Sequence, residues 1–163
     1  MGYTDCIPRD DRFATKSNFV LGDGGSGQET GTTKSKPNIK ADATCANRDG
    51  FNVWGWIPMP QSAGTLGVTC SWSEGKYIRE ADIAMRSDTI KWWDVWNHPT
   101  TCSAAYDPIS VATHEVGHFL GLEHVTDPSH EELTMYPYTY PCDKRGETCG
   151  QGNCDGLMHL YPR

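Results

Sequence analysis

In the run His114-Glu115-Val116-Gly117-His118-Phe119-Leu120-Gly121-Leu122-Glu123-His124, three imidazoles and a carboxylate stand at spacings that one divalent metal ion can use. On a helix, residues four apart project from one face, so His114 and His118 can converge on a single ion. Gly121 falls where such a helix should stop. A glycine there can take the left-handed conformation, turn the chain back and bring His124 round as a third ligand. Three nitrogens at roughly 2.0–2.1 Å from zinc leave one tetrahedral position for water, the arrangement of a catalytic rather than a closed structural ion. Glu115, beside the first histidine, is then placed to take a proton from that water. The short His-Glu-x-x-His pattern arises readily by chance in ordinary helices. The long form fixes five positions, expected on the order of once in a few million random windows, so metal binding outweighs the reading of these residues as plain helix surface.

The elements around the run agree with it. Asp107-Pro108 supplies an N-cap followed by proline at the first helical position, which predicts a helix over 108–120. Ile109, Ala112, Val116 and Phe119 recur at helical spacing and should bury the back of that helix against a sheet. Strand-like runs rich in β-branched and aromatic residues lie at 52–57, 66–72, 81–86 and 90–93, with 76–78 extending one of them. An irregular part follows over 121–152, and a last helix over 154–161 closes the chain. The expected fold class is α+β, a mixed twisted sheet over an active-site helix, with a cleft in which an extended peptide can pair with the sheet edge.

Downstream, Leu133-Thr134-Met135-Tyr136-Pro137 completes a second pattern. The long histidine motif with a Met-Tyr-Pro turn after it resembles the metzincin clan of zinc endopeptidases, and the matrixin-like branch within it. Glu80-Ala81-Asp82-Ile83 and Asp155-Gly156-Leu157-Met158-His159-Leu160-Tyr161-Pro162 resemble the matrixin strand before the catalytic region and the closing helix. Secreted bacterial matrixin-like peptidases are the closest in running pattern, through Cys102, Tyr106-Asp107, Thr113-His114-Glu115, His124-Val125, His130, Leu133-Thr134-Met135 and Pro141-Cys142. Asp49-Gly50, Thr65-Leu66-Gly67-Val68-Thr69-Cys70 and Trp72 fit the same group. The resemblance covers roughly 45–162 and is most specific over 102–162.

That resemblance implies a zinc-dependent endopeptidase acting on proteins or peptides, with one Zn2+ held by His114, His118 and His124 and with Glu115 as general base. Met135 is implied as an apolar floor under the histidines, and Tyr136, Pro137 and Tyr138 as the substrate cleft. The chain departs from the pattern in carrying Val125 where animal matrixins usually have Ser. It also reads Pro137-Tyr138-Thr139-Tyr140 where the pocket wall follows Pro-x-Tyr, which leaves open which tyrosine forms the wall. The clan begins with a strand and a long helix, whereas residues 1–50 show no sustained helical periodicity and 22–38 read as loop. The expectation is a single catalytic domain over 1–163, loop-rich over 1–44 and without that leading strand and helix. An N-terminally shortened version of a longer precursor and a smaller natural variant are the two accounts of it.

Seven cysteines in 163 residues suit an oxidising, extracellular setting. The resemblance implies the pairs Cys45 with Cys70 and Cys102 with Cys142. Cys149 and Cys154 lie close in a glycine-rich stretch and could bridge locally. Cys6 is left over; a partner further upstream, a thiolate switch on the zinc and a free buried thiol all stay open.

Six Trp and seven Tyr provide bulky packing, while 17 Gly and 10 Pro point to a loop-rich fold. No run of 18 apolar residues suggests a membrane span. A net charge of −7 without a basic cluster argues against nucleic acid as a partner, and a monomer is expected. His98, His130 and His159 read as surface or core residues rather than ligands, His130 being the one that could steady the loop after His124. The Asp23 glycine loop and Asp49-Gly50-Phe51-Asn52 could hold Ca2+, although Asp-Gly turns are commoner without metal. The rival to the enzyme is a non-catalytic zinc-binding protein-interaction module of the same fold; a disulfide-rich adhesion or toxin-like domain would not need the histidine spacing. Glu115, which a purely structural zinc site does not require, favours the enzyme.

Overall fold

Aromatic and β-branched residues between 53 and 86 build one small sheet, against which the helix carrying His114 and His118 packs. The computed structural model describes residues 36–94, 97–98, 100–147 and 150–161. Strands β1 (Trp54–Ile57), β2 (Gly67–Glu74) and β3 (Tyr77–Arg86) are followed by helices α1 (Pro108–Phe119) and α2 (Gln151–Leu160). The sheet order is β1-β3-β2, with β1 parallel and β2 antiparallel to the central β3. The fold class is therefore α+β. The tight turn between β2 and β3 places Gly75 at φ 59°, a conformation in which a Cβ is strained.

β3 carries an unusual load for a central strand: Glu80 and Asp82 are fully buried. Glu80 accepts the backbone N–H groups of Asp49 and Gly50, and Asp82 those of Asn38 and Val53. Burial raises the Asp82 pKa against the pull of those two N–H donors. Buried carboxylates persist only when so satisfied, and these two fasten the irregular segment 38–53 to the middle of the sheet. Ile39, Ile57, Met59, Cys70 and Ala84 form the core on that side, and the Cys45–Cys70 disulfide crosses it.

α1 packs against β2 and β3, but three of the four residues of the apolar stripe expected to face the sheet pack elsewhere. Val116 and Phe119 join Leu120, Leu157, Leu122 and Tyr161 in a cluster with α2, and Ile109 packs with Trp93 and Ala105. The sheet-facing side holds Val111 and Glu115, both against Gly67. The reason is that α1 is covered on more than one side, so its apolar residues serve α2 and the 93–105 segment while the carboxylate turns inward.

The strand expected over 90–93 is also absent; only an isolated parallel bridge joins Trp92 to Tyr106. Thr89 has φ 54°, a conformation that interrupts an extended strand just before this run. The tryptophans there act as anchors instead, Trp92 Nε1 donating to Arg86 O and Trp93 Nε1 to His98 O. The last helix starts at Gln151, three residues before the expected position, because Gly150 serves as its N-cap. The expected irregular part contains two short 3-10 turns, Pro128–His130 and Arg145–Glu147. The expectations for residues 1–35, including Cys6 and the Asp23 loop, lie outside the described residues.

Candidate active site

The helix that carries the site is defined at both ends by local chemistry. Asp107, buried, accepts the N–H groups of Ile109 and Ser110 at 3.1 and 2.9 Å, and Pro108 occupies the first helical position. At the other end Gly121 has φ 93°. Its N–H meets His118 O and the N–H of Leu122 meets Gly117 O, both at 2.9 Å. That paired closure is the Schellman arrangement, and it reverses the chain so that His124 returns toward the helix.

The return brings three ring nitrogens together. His114 Nε2 lies 3.1 Å from both His118 Nε2 and His124 Nε2, and the last two are 3.0 Å apart. His114 Nδ1 donates to Thr134 O at 2.7 Å and His118 Nδ1 to Leu122 O at 2.8 Å. A carbonyl oxygen only accepts, so in both rings Nδ1 holds the proton and Nε2 the lone pair. Lone pairs at such a separation repel unless a cation lies among them. Two ligand atoms about 2.0 Å from one tetrahedral ion stand roughly 3.3 Å apart, so the donor set fits zinc both in type and in spacing. Burial pushes the His114 pKa down to about 4, and burial followed by the charge of His118 lowers that of His124. Neutral imidazole is the form that ligates. His124 is exposed while His114 and His118 are half-buried, which leaves the triad open to solvent on one side.

Glu115 sits at the back of the same cleft, 4 % exposed. Thr69 on β2 donates its hydroxyl to Glu115 Oε2 at 2.7 Å. Burial raises the Glu115 pKa to about 7, with that hydrogen bond acting in the opposite direction. A carboxyl group poised near neutrality is suited to taking up and giving back a proton. The cleft encloses about 760 Å³ and runs between β2 and the segment 133–139.

That segment is tied to the triad through its backbone. Thr134 O holds His114, Met135 O accepts the N–H of Val125 at 2.9 Å, and the Met135 side chain is 1 % exposed. Tyr136, Pro137, Tyr138 and Thr139 line the cleft, and Tyr140 is not among its lining residues. Arg145 braces this segment by donating to Tyr138 O at 2.6 Å and to Glu131 O. Its guanidinium also lies against the rings of Tyr136 and Tyr140. A Cβ on Gly146 would meet Ser110 Cα at 2.9 Å, so the turn carrying Arg145 seats directly on the start of α1. The Cys102–Cys142 disulfide joins the approach to α1 with the end of the wall segment. Cys154 is disulfide-bonded, and Cys149, expected as its partner, lies outside the described residues.

The remaining candidates stand apart from the triad. His130 pairs loosely with Glu132 at 3.7 Å in an exposed turn, and His159 is exposed on α2. In the Asp49–Asn52 loop, Asp49 Oδ1 accepts the N–H of Phe51 and Asn52 Oδ1 that of Ala81, so those oxygens already serve the backbone. Gly67 and Thr69 entered the sequence reading only within the run Thr65–Cys70, without a role at the site, and Arg145 did not enter it. A threonine and a glycine alternate with Val68 on one strand, and period-two placement on a common face was the available signal.

Comparison with known proteins agrees with the geometry. A family model for Matrixin matches residues 39–162. Metalloendoproteinase 1 of Glycine max is 33% identical over 108 residues, 64% of this chain and 31% of that protein. Metalloendoproteinase 2-MMP of Arabidopsis thaliana is 35% identical over 106 residues, 64% of this chain and 25% of its own length. Human Stromelysin-3 is 31% identical over 86 residues, 53% of this chain and 15% of that protein. The chain thus matches less than a third of the length of each of these relatives. With the family model spanning the sheet, α1, the wall segment and α2, the chain belongs to the matrixin family.

Proposed function

We propose that this chain is the catalytic domain of a secreted zinc endopeptidase that hydrolyses peptide bonds in proteins. The observation that carries the reading is the convergence of three imidazole Nε2 atoms within 3.1 Å of one another, in a cleft that also holds a buried glutamate. His114, His118 and His124 hold one ion. When bound, zinc supplies Lewis acidity to a water and to the scissile carbonyl. Glu115 accepts the proton of the attacking water and later delivers it to the leaving amine. Thr134 O and Leu122 O keep two rings oriented by holding their Nδ1 protons. Met135 forms the apolar floor, and Tyr136, Pro137 and Tyr138 shape the substrate cleft.

The disulfides Cys45–Cys70 and Cys102–Cys142 support an extracellular location. Among the described residues, no helix is long and apolar enough to cross a membrane. The proposal takes the chain as one monomeric domain with protein or peptide substrates. The deciding experiment measures metal content, calcium included, together with cleavage of a generic protein substrate with and without chelator. One zinc per chain, chelator-sensitive cleavage and an inactive, zinc-replete Glu115→Ala variant are expected, with a rate loss of about 10²- to 10⁴-fold. Bound zinc without any cleavage would instead favour the non-catalytic interaction module, and an active Glu115→Ala protein would remove Glu115 from its role.

A further inference from the structure

We propose that Thr69, on the edge strand β2, is a positioning residue for Glu115 that keeps its carboxyl group in one orientation throughout the reaction; this rests on the general-base reading of Glu115. Thr69 Oγ1 lies 2.7 Å from Glu115 Oε2 and 2.9 Å from the backbone oxygen of the same residue. A hydroxyl has one proton to donate and lone pairs with which to accept. With Glu115 ionised, the Thr69 proton points at Oε2. Once Glu115 has taken the proton of the water on Oε1, the hydroxyl can go on donating to Oε2, which leaves the new O–H free to return its proton to the amine. Both forms of the glutamate are satisfied from one fixed oxygen, and neither requires the side chain to swing.

The other oxygen keeps its room because position 67 is a glycine, where a Cβ would stand 2.8 Å from Oε1 and 2.9 Å from Cγ. Glu115 is therefore held between a hydroxyl and a bare backbone on the same strand. A dihedral error in a residue that shuttles a proton is costly, because displacement of about 1 Å can reduce rate on the order of 100-fold.

Three variants test the role: Thr69→Val, which keeps shape and loses the hydroxyl; Thr69→Ser, which keeps the hydroxyl; and Thr69→Ala, which differs from Ser by that oxygen alone. Zinc content, kcat and KM on one peptide substrate are measured for each beside Glu115→Ala. The expected result for Thr69→Val is a wild-type zinc content, KM within about twofold and kcat lower by roughly 10- to 100-fold, with Thr69→Ser within about threefold of wild type. If Thr69→Val does not fold, the Ser and Ala variants carry the comparison, and the same gap in kcat is expected between them. The proposal is overturned by a Thr69→Val kcat equal to wild type, by a loss confined to KM, or by Thr69→Ser as impaired as the variants without the hydroxyl. An active Glu115→Ala overturns the general-base reading and this proposal together. A silent Thr69→Val beside an inactive Glu115→Ala overturns only the positioning role.

Discussion

Because a Cβ at Gly67 would approach Glu115 Oε1 to 2.8 Å, Glu115 Cγ to 2.9 Å and Val111 Cγ1 to 3.0 Å, one methyl group separates a seated carboxyl from a displaced one. A glutamate end can usually move aside cheaply. This one cannot, since Thr69 holds its other oxygen and the site is buried. Gly67→Ala is therefore expected to bind as much zinc as wild type, since the histidine triad does not include it, while turnover falls by about 10²-fold and stability by about 1–3 kcal/mol from overpacking. Metal analysis beside steady-state kinetics checks this, and a Gly67→Ala enzyme with wild-type turnover would show that Glu115 has room the close approach denies it. The convergence of His114 and His118 was legible in the sequence because a helix fixes which residues share a face, and the return of His124 because a glycine at the helix end marks where the chain turns back. Thr69 and Gly67 were not, because they meet Glu115 across 46 and 48 positions of chain, and nothing local marks a strand residue as the neighbour of a particular helix residue.

At the scale of the element, α1 is a short helix whose placement depends on its first turn. Asp107 is 2 % exposed and accepts two backbone N–H groups together with the Ser110 hydroxyl. Its removal leaves those donors buried without partners, so Asp107→Ala belongs at the upper end of N-cap losses, about 2 kcal/mol. For a domain of this size that lowers the thermal midpoint by about 4–8 °C. Asp107→Asn keeps an acceptor oxygen and should recover most of the loss; equal midpoints for Asp107→Ala and wild type would mean that packing alone sets the helix start. The cap and the glycine stop were readable for the reason that they are chemistry between neighbours. The stripe Ile109, Val116 and Phe119 was readable as apolar but not as to what covers it, since periodicity names a face and not its partner. Likewise the aromatic content of 90–93 suggested a strand, whereas Trp92 and Trp93 spend their indole N–H groups on Arg86 O and His98 O.

The whole molecule divides its stability between a sheet half, in which Glu80, Asp82 and the Cys45–Cys70 disulfide fasten the irregular segment 38–53, and a lower half assembled around the triad. In the lower half His114 and His118 come from α1, His124 from the returning chain, and Thr134 O from the wall segment. An ion bound by all three histidines therefore links the helix to the chain beyond Gly121, and the unfolded chain offers no such preformed site. A ligand at about 1,000 times its dissociation constant adds about 4 kcal/mol to stability. Chelation should accordingly lower the thermal midpoint by about 8–16 °C. The sheet half does not touch the ion and keeps its disulfide and buried carboxylates, so the strand signal in circular dichroism at 20–25 °C should survive chelation. Returning zinc should restore both midpoint and activity. A midpoint unmoved in protein verified to be metal-free would mean that the histidines are already held in place by Thr134 O and Leu122 O, with the ion contributing to chemistry and nothing to the fold. Loss of the strand signal on chelation would mean instead that the two halves fold as one unit, with α1 carrying the coupling through its packing against β2 and β3.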